Sequence, residues 1–286
     1  MLNAGMVVCG RSRLRLADGS WAVSALRAYP ALVTTILVPY HQDERLPDDI
    51  LPMSAADTAT VEAELPDGTI WQRLAVLYDA VAAAVADHTG GGAVPTVVSG
   101  DCLVALATIA GAQRAGADPG VVWFDAHGDV HTLDTSTSGY LGGLALRLAI
   151  GAHHELLAKP LGLRPVAEDR AVLVDARDLD PAEVAYLAQS RMVRRAVDEL
   201  DDVVLPEGPI VLHVDVDVVD AGELPNLRFP VSGGPSTDAV LRAVRRVLAT
   251  GRVVALDIAC PWHPARDDRD RAVRTALLTA LTEAGA

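Results

Sequence analysis

Short β-branched runs alternate with longer amphipathic stretches along most of the chain. The runs rich in Val and Ile predict strands, and they are TTILVPY, PTVVSG, GVVWFDAH, RAVLVDAR, PIVLHVDVDV and RVVALDIA. Between them, apolar residues recur at helical spacing, which predicts helices over 71–88, 103–115, 141–150, 181–189, 237–250 and 269–284. This alternation implies an α/β fold in which parallel strands form a doubly wound sheet with helices on both faces.

The chain carries no composition break, long linker or internal repeat, although residues 40–66 form an extended polar excursion. With 286 residues, half of them apolar, the sequence is long enough to bury a large core. We therefore expect one domain over residues 1–286.

Charge and cysteine usage narrow the partners and the compartment. A formal net charge of −14 leaves no basic surface for a nucleic acid. The three widely spaced cysteines do not resemble the disulfide framework of a secreted domain. No apolar run is long enough for a signal peptide or a membrane span. The sequence predicts a cytoplasmic protein that acts on a small molecule, without a nucleic-acid or membrane partner.

Polar side chains follow two of the predicted strands. In WFDAHGDVH, Asp125, His127 and Asp129 stand at i, i+2 and i+4, so that an extended backbone aims them in one direction. In HVDVDVVD, three side chains share one phase, namely His213, Asp215 and Asp217. Because ligands of open α/β sheets bind beyond the carboxyl ends of the strands, we expect the two runs to converge.

Four aspartates at one place would raise one another's pKa unless a cation neutralised them. Carboxylate with imidazole suits Mn²⁺, Mg²⁺ or Fe²⁺ better than a structural zinc site. Each run alone has an ordinary alternative, since an aspartate at a strand end often caps the next helix and DxD is common in loops. The two runs together favour a site for divalent metal.

These residues resemble the ureohydrolase superfamily, which includes arginase, agmatinase and formiminoglutamase and carries a GGDH turn, a DAHxD motif, a DxDxxD motif and a late Asp-x-x-Glu strand. The match covers roughly residues 95–264. The resemblance implies a three-layer α/β/α sandwich with a mostly parallel, about eight-stranded sheet and two Mn²⁺ ions. It also implies a hydrolase of non-peptide C–N bonds and a homo-oligomer.

By the same resemblance, Asp125, Asp129 and Asp215 would bind the first metal, and His127, Asp125, Asp215 and Asp217 the second. Two metals about 3.5–4 Å apart lower the pKa of a shared water, so that hydroxide forms near neutral pH. Asp129 would then orient that hydroxide and take its proton.

One departure from the family lies at the end of SGDC, where Cys102 replaces a histidine ligand. If Cys102 binds as thiolate, five anionic ligands exceed the charge of two dications by one, which weakens the Lewis acid and favours softer metals. If it stays a thiol, the first position lacks a ligand and one ion becomes possible. Alternatively, Cys102 is a small buried hydrophobe.

Two further departures concern the guanidine end of the pocket. The proton-shuttle histidine of arginases maps to Gly142, and the late motif ends in Cys260 instead of the acid that would hold a guanidinium. A thiol cannot reproduce that charge-assisted contact. The sequence therefore argues against ordinary arginine hydrolysis.

The amino-acid end of the pocket resembles that of arginases. Ser138 is retained in TSTSG, and RDLDPAE offers Asp180 and Glu183, which would meet a substrate's α-amino group. The alternative is that Asp-Pro-Ala-Glu forms only a helix cap and capping box. We infer an amino-acid-like substrate with a changed head group, such as an N-hydroxyguanidine, and identify His131 as a substitute acid or substrate donor.

Three functions remain open. The leading hypothesis is a manganese-dependent amidinohydrolase, and the second is a metal- and ligand-binding protein of this fold without turnover. A metal-assisted phosphoesterase or deacetylase is weaker, because the histidine pairs that such sites use are missing. The remaining histidines have no motif context and are expected at the surface or in loops: His41, His88, His153, His154 and His263.

Overall fold

Eight strands pair into one parallel sheet in the computed structural model, which describes residues 13–15, 21–23, 35–54, 58–201 and 203–285. The strands are β1 Arg13–Arg15, β2 Trp21–Val23, β3 Thr35–Val38, β4 Tyr40–His41, β5 Glu44–Arg45, β6 Thr58–Thr60, β7 Thr96–Ser99, β8 Gly120–Asp125, β9 Ala171–Asp175, β10 Val193–Arg195, β11 Ile210–Asp215 and β12 Val253–Ala259. The helices are α1 Ile70–Gly90, α2 Ala105–Arg114, α3 Ala145–Ala149, α4 Ala158–Leu161, α5 Pro181–Leu187, α6 Thr237–Leu248 and α7 Asp268–Gly285.

The order of the sheet is β10-β9-β8-β11-β12-β7-β3-β6, and every neighbouring pair is parallel. Two antiparallel pairs, β1 with β2 and β4 with β5, lie outside it. All six predicted strand runs contribute strands to the sheet. Its two edge strands, β6 and β10, have only three residues each and lack the long apolar runs that identify the other strands.

Helices cover both faces of the sheet, which confirms the three-layer α/β/α prediction. Alternate residues of β8 face opposite layers, because side chains of a strand point alternately to its two sides. Val121 and Trp123 pack in the core that contains α1 to α4, whereas Val122 and Phe124 pack in the core that contains α6 and α7. Both layers thus hold the central strands in place.

The helices agree with the predicted periodicity but differ in extent. Helix α1 begins with a capping box, in which Thr69 and Gln72 satisfy each other's backbone N–H groups. The segment predicted as one helix over 141–150 consists of a 3-10 turn, Gly142–Leu144, followed by the five-residue α3, and the short α4 was not predicted. Within the described part of the chain, no helix combines the length and apolarity needed to cross a bilayer.

Parallel pairing brings the carboxyl ends of the central strands to one edge. Strands β8 and β11 are neighbours and end at Asp125 and Asp215. Strand β7, two positions beyond β11, leads into the turn that carries Cys102. The fold therefore delivers side chains from three strand ends to a single region.

Candidate metal centre

A pocket of about 220 Å³ opens at this edge of the sheet. Every site residue predicted from the sequence lines it: Cys102, Asp125, His127, Asp129, His131, Ser138, Asp180, Glu183, Asp215 and Asp217. Four other lining residues were not singled out from the sequence: Tyr140, Gly143, Asp178 and Phe229. The two acidic runs thus meet in one cleft.

Both carboxylate oxygens of Asp125 accept hydrogen bonds. Its Oδ1 accepts the His127 backbone N–H at 2.7 Å, and its Oδ2 accepts the Trp123 indole N–H at 3.2 Å. The His127 Nδ1 atom lies 3.3 Å from Asp125 Oδ1 and 3.1 Å from Asp217 Oδ2. Ligand atoms of Asp125, His127 and Asp217 all lie within 4.8 Å of one another, so these three side chains could hold one ion.

Asp217 and Asp215 connect the second run to the first. Asp217 Oδ1 accepts the Ala126 backbone N–H at 3.2 Å, across the two strand ends. Asp215 Oδ1 accepts the Asp217 backbone N–H at 2.8 Å, as the cap of a short helical turn. These bonds fix both carboxylates toward Asp125, because neither can rotate without leaving a buried N–H unpaired.

Cys102 lies directly against the carboxylate cluster. Its thiol donates to Asp215 Oδ2 over 2.7 Å, and burial followed by the charge of Asp215 raises the pKa of the thiol well above its usual value. A second triplet of possible ligand atoms, from Cys102, Asp125 and His213, also lies within 4.8 Å. The sulfur is therefore positioned to reach an ion bound by the aspartates.

The sequence places His213 in phase with Asp215 and Asp217 but does not mark it as a site residue. It is fully buried, its ring stacks on Trp123 at 3.7 Å, and its Nδ1 atom lies 2.7 Å from Asp257 Oδ1. Asp257 Oδ2 accepts the Thr108 hydroxyl at 2.6 Å. Asp257 therefore supports His213 beneath the cluster, although the late motif to which it belongs lacks its terminal acid.

The carboxylates carry more negative charge than their surroundings balance. Burial, followed by the charge of Asp125, raises the pKa of Asp129 well above its usual range, and burial with Asp217 does the same for Asp215. Burial and Asp125 raise the pKa of Asp217 to about 6. Such a group of acids ionises together only when a cation is present.

The protein's own positive charge in this cluster is the protonated imidazole of His127. Burial acts to lower the pKa of His127, but the hydrogen bonds that His127 donates to Asp125 and Asp217 outweigh burial and raise that pKa to about 12. Burial would also raise the pKa of Asp125, yet its bonds to His127 lower it. One imidazolium cannot neutralise the four buried aspartates, so positive charge is still lacking.

The side of the pocket opposite the cluster carries the predicted amino-acid contacts. Glu183 is buried, and its two oxygens accept the backbone N–H groups of Val130 and Asp180 at 3.2 and 3.1 Å. The capping box considered as an alternative thus occupies one Glu183 oxygen, and the Val130 backbone occupies the other. Asp180 remains more exposed, and its Oδ2 lies 3.1 Å from His131 Nε2. Ser138 accepts the Tyr140 backbone N–H at 3.2 Å.

An aromatic wall closes another side of the pocket. The Tyr140 ring lies 4.5 Å from that of Phe229, and its hydroxyl donates to Asp101 Oδ2 at 3.3 Å. His41 stacks on Tyr140 at 5.7 Å and is buried, so the expectation that it lies at the surface or in a loop is wrong. That expectation is also wrong for His88, a buried residue of α1. No motif marks these residues, because tertiary packing alone brings them inside.

Comparison with known proteins agrees with this geometry. The sequence model of the Arginase family matches residues 20–283. The chain is 29% identical over 196 residues to an arginase of Bacillus subtilis (strain 168), covering 64% of this chain and 66% of that relative, slightly under two thirds of its length. It is 30% identical over 213 residues to an N(omega)-hydroxy-L-arginine amidinohydrolase of Streptomyces lavendulae, covering 72% and 74% of the two chains.

The fold is shared with solved structures as well. A crystal structure of arginase from Bacillus subtilis subsp. subtilis str. 168 superposes with a TM-score of 0.73 at 25% identity, covering 88% of this chain and 97% of that one. The parallel sheet, the carboxylate cluster at its edge and the family match over nearly the whole sequence therefore lead to one conclusion: this chain belongs to the arginase family.

Proposed function

We propose that this protein is a manganese-dependent hydrolase of a non-peptide C–N bond in a guanidino or amidino compound, with an amino-acid-like substrate whose head group is modified. The observation that carries this proposal is the convergence of two strand-end motifs on one pocket, which is lined both by a cluster of aspartates and by Asp180 with His131. A pocket of this kind can hold both ends of a short amino acid.

The residues present fit a divalent metal. Asp125, Asp129, Asp215 and Asp217 are each at most 4% exposed, yet the Asp129 Oδ2 atom has no hydrogen-bonding partner among the described residues. A buried carboxylate oxygen without a partner is costly unless a cation binds it. Oxygen and imidazole ligands suit Mn²⁺, and the nearby Cys102 sulfur would extend the choice to softer ions.

By the family resemblance, Asp125 and Asp215 would contribute to both metal positions. Cys102 and Asp129 would complete the first position, and His127 and Asp217 the second. When bound, divalent metal supplies Lewis-acid chemistry that lowers the pKa of water to near neutrality. His127 must lose its proton to bind, so metal uptake releases a proton from the pair that His127 forms with Asp125 and Asp217.

The protein's own side chains then handle the water and the substrate. Asp129 would orient the attacking water and accept its proton. The water oxygen bonds to the amidine carbon, the C–N bond breaks, and the proton passes to the departing nitrogen. His131, held 3.1 Å from Asp180, supplies a proton or a hydrogen bond from the amino-acid end of the pocket.

The head group is the part of the substrate that we propose differs from arginine. Cys260 is fully buried and is not among the described residues that line the pocket, so it offers a guanidinium no carboxylate. An electron-withdrawing hydroxyl on a terminal nitrogen lowers the basicity of the guanidine, so this head group depends less on a charge-assisted contact with an acid. The relative named N(omega)-hydroxy-L-arginine amidinohydrolase supports an N-hydroxyguanidine as the substrate class.

The test is a panel of guanidino and amidino acids incubated with the manganese-loaded protein. The panel contains L-arginine, its N-hydroxy derivative and the corresponding decarboxylated amines, and release of urea, hydroxyurea or ammonia is measured. We expect the N-hydroxyguanidino acid to be turned over fastest. Asp129→Asn should lower kcat by about 10²-fold or more, because the proton acceptor is lost.

The same panel separates turnover from binding alone. Protein that contains its full metal complement, binds members of the panel and releases no product would contradict the hydrolase proposal. That outcome would favour the non-catalytic alternative, in which the pocket holds metal and ligand without chemistry.

A further inference from the structure

The backbone conformation of Gly142 does not explain why this residue is glycine. Its φ does not lie in the left-handed region that favours glycine. A Cβ atom at this position would instead lie 2.6 Å from the Tyr140 hydroxyl oxygen and equally close to the ring carbon that bears it. The phenol ring of Tyr140 therefore occupies the space that any side chain at position 142 would need.

Three neighbours hold the ring there. The hydroxyl donates to Asp101 Oδ2 at 3.3 Å, and Asp101 is itself fully buried and accepts the Leu103 backbone N–H at 2.8 Å. His41 stacks on one side of the ring at 5.7 Å with an interplanar angle of 14°, and Phe229 packs against it at 4.5 Å. A side chain with contacts on this many sides is held in one orientation.

The hydrogen-bonding capacity of this oxygen is only partly used. A phenol has one donor and an acceptor, and its usual pKa near 10 keeps it neutral at physiological pH. The donor is committed to Asp101, which leaves the oxygen lone pairs to accept a hydrogen bond from a group in the pocket. Tyr140 lines the same pocket as Asp129 and Asp215, so a head group that reaches the carboxylate cluster lies beside Tyr140.

We propose that Tyr140 is a specificity-determining residue that selects a hydroxylated head group: its ring fills the space beside Gly142, and its oxygen accepts a hydrogen bond from the N-hydroxyl of an N-hydroxyguanidino acid. This inference rests on the proposed function and adds the residue that chooses among head groups. A head group without the hydroxyl leaves the buried oxygen without that partner, which is how polar sites reject analogues that lack one group.

Two substitutions test the proposal from different directions. Tyr140→Phe removes the oxygen and keeps the ring, and Gly142→Ala keeps the oxygen but forces the ring to move. We expect each to lower the preference for the N-hydroxyguanidino acid over the guanidino acid by about tenfold, through loss with the hydroxylated compound. Tyr186→Phe is the matched control, because its hydroxyl contacts Glu168 outside the pocket.

Preference is measured as the ratio of kcat/KM values where turnover occurs and as the ratio of Kd values by calorimetry where it does not. Metal content and melting temperature of each variant confirm that it is folded and loaded. An unchanged preference in Tyr140→Phe would overturn the inference. Preference that depends on Tyr140 without any turnover would refute the proposed hydrolysis alone. Failure of the parent protein to bind or hydrolyse either compound would overturn both.

Discussion

Cys102 is the side chain whose state most affects the metal centre. It donates its thiol hydrogen to Asp215, and burial keeps the pKa of that thiol high in the metal-free protein. A bound metal would reverse this preference, because thiolate is the form that coordinates. Cys102 would therefore lose its proton only when the ion binds.

The contribution of Cys102 can be measured by substitution. We expect Cys102→Ala to bind less metal per chain than the parent, because the first position loses a ligand, and Cys102→His to retain the parent content. Elemental analysis of the purified proteins gives the stoichiometry. Identical metal content in all three would remove Cys102 from the ligand set.

The contact between α1 and α2 shows how one residue fixes the spacing of two elements. A Cβ atom at Gly111 of α2 would lie 2.6 Å from Val85 Cβ and 2.7 Å from the Ala82 carbonyl oxygen of α1. Glycine in a helix is costly, so its presence here indicates that close approach of the helices is worth more. Helix α2 begins three residues after Cys102, and the contact thereby also supports the site.

Gly111→Ala should destabilise the protein despite the better helix propensity of alanine. Propensity contributes about 1 kcal/mol, whereas overpacking against backbone costs about 1–3 kcal/mol. Gly90→Ala, in α1 with nothing within 4 Å of the added methyl, is the control and should change stability by about 0.5 kcal/mol or less. Urea denaturation measures the unfolding free energy of both variants. Equal unfolding free energies for Gly111→Ala and Gly90→Ala would contradict the close contact.

The start of α7 gives the fold a defined acid dependence. The hydrogen bonds that Arg266 donates to Asp270 lower the pKa of that carboxyl to about 2. Its pKa in the unfolded chain is near 3.9, so this stabilisation is fully present above about pH 4 and is lost as the pH falls through about 2. Asp270 therefore stabilises the helix start at neutral pH and ceases to do so in acid.

Asp270→Asn should lower the unfolding free energy near neutral pH, and the difference from the parent should shrink as the pH is reduced toward 3. Denaturation curves at several pH values measure this. The control is Asp268→Asn, which removes an exposed carboxylate paired with Arg271. It should have little effect on the unfolding free energy at any pH. A difference for Asp270→Asn that does not depend on pH would mean that the ion pair is not its cause.

For the whole molecule, metal should act as a stabilising ligand. Folding brings Asp125, Asp129, Asp215 and Asp217 into one pocket, which the unfolded chain lacks, so Mn²⁺ should bind the folded chain in preference to the unfolded one. An ion at about 100 times its Kd adds about 2.7 kcal/mol to the unfolding free energy. We expect the melting temperature to rise with added Mn²⁺ and to fall again with a chelator.

Removal of one proposed ligand provides the control. The rise should be much smaller in Asp215→Asn and unchanged in Asp118→Asn, an exposed aspartate paired with Arg170. A melting temperature that does not respond to Mn²⁺, Fe²⁺ or Co²⁺ would contradict the metal centre.

The sequence predicted the central sheet because its strands are buried on both faces and appear as uninterrupted apolar runs. The acidic side chains were located for the same reason, since they follow those runs at fixed spacing. Tyr140, Phe229 and His41 were not identified, because they lie in loops or in a two-residue strand and only the tertiary fold brings them together. In the sequence, the close approach of Tyr140 corresponds to Gly142 of TSGYLGG.

The extent of the domain, the cytoplasmic location and the association into homo-oligomers stay predictions at this scale. We propose a single domain, since one sheet runs from β10 to β6 and each of its strands has a neighbour in it.

Strand β12 is the last strand of the described chain, yet it pairs between β11 and β7 in the middle of the sheet. During synthesis, the half that contains β8 and β11 and the half that contains β7 and β3 cannot be joined until residues 253–259 have emerged from the ribosome. Until then, Cys102 and Asp215 belong to separate, incompletely covered pieces, which are the kind of intermediate that chaperones protect. We therefore expect the nascent chain to become able to bind divalent metal only after residues 253–259 have emerged.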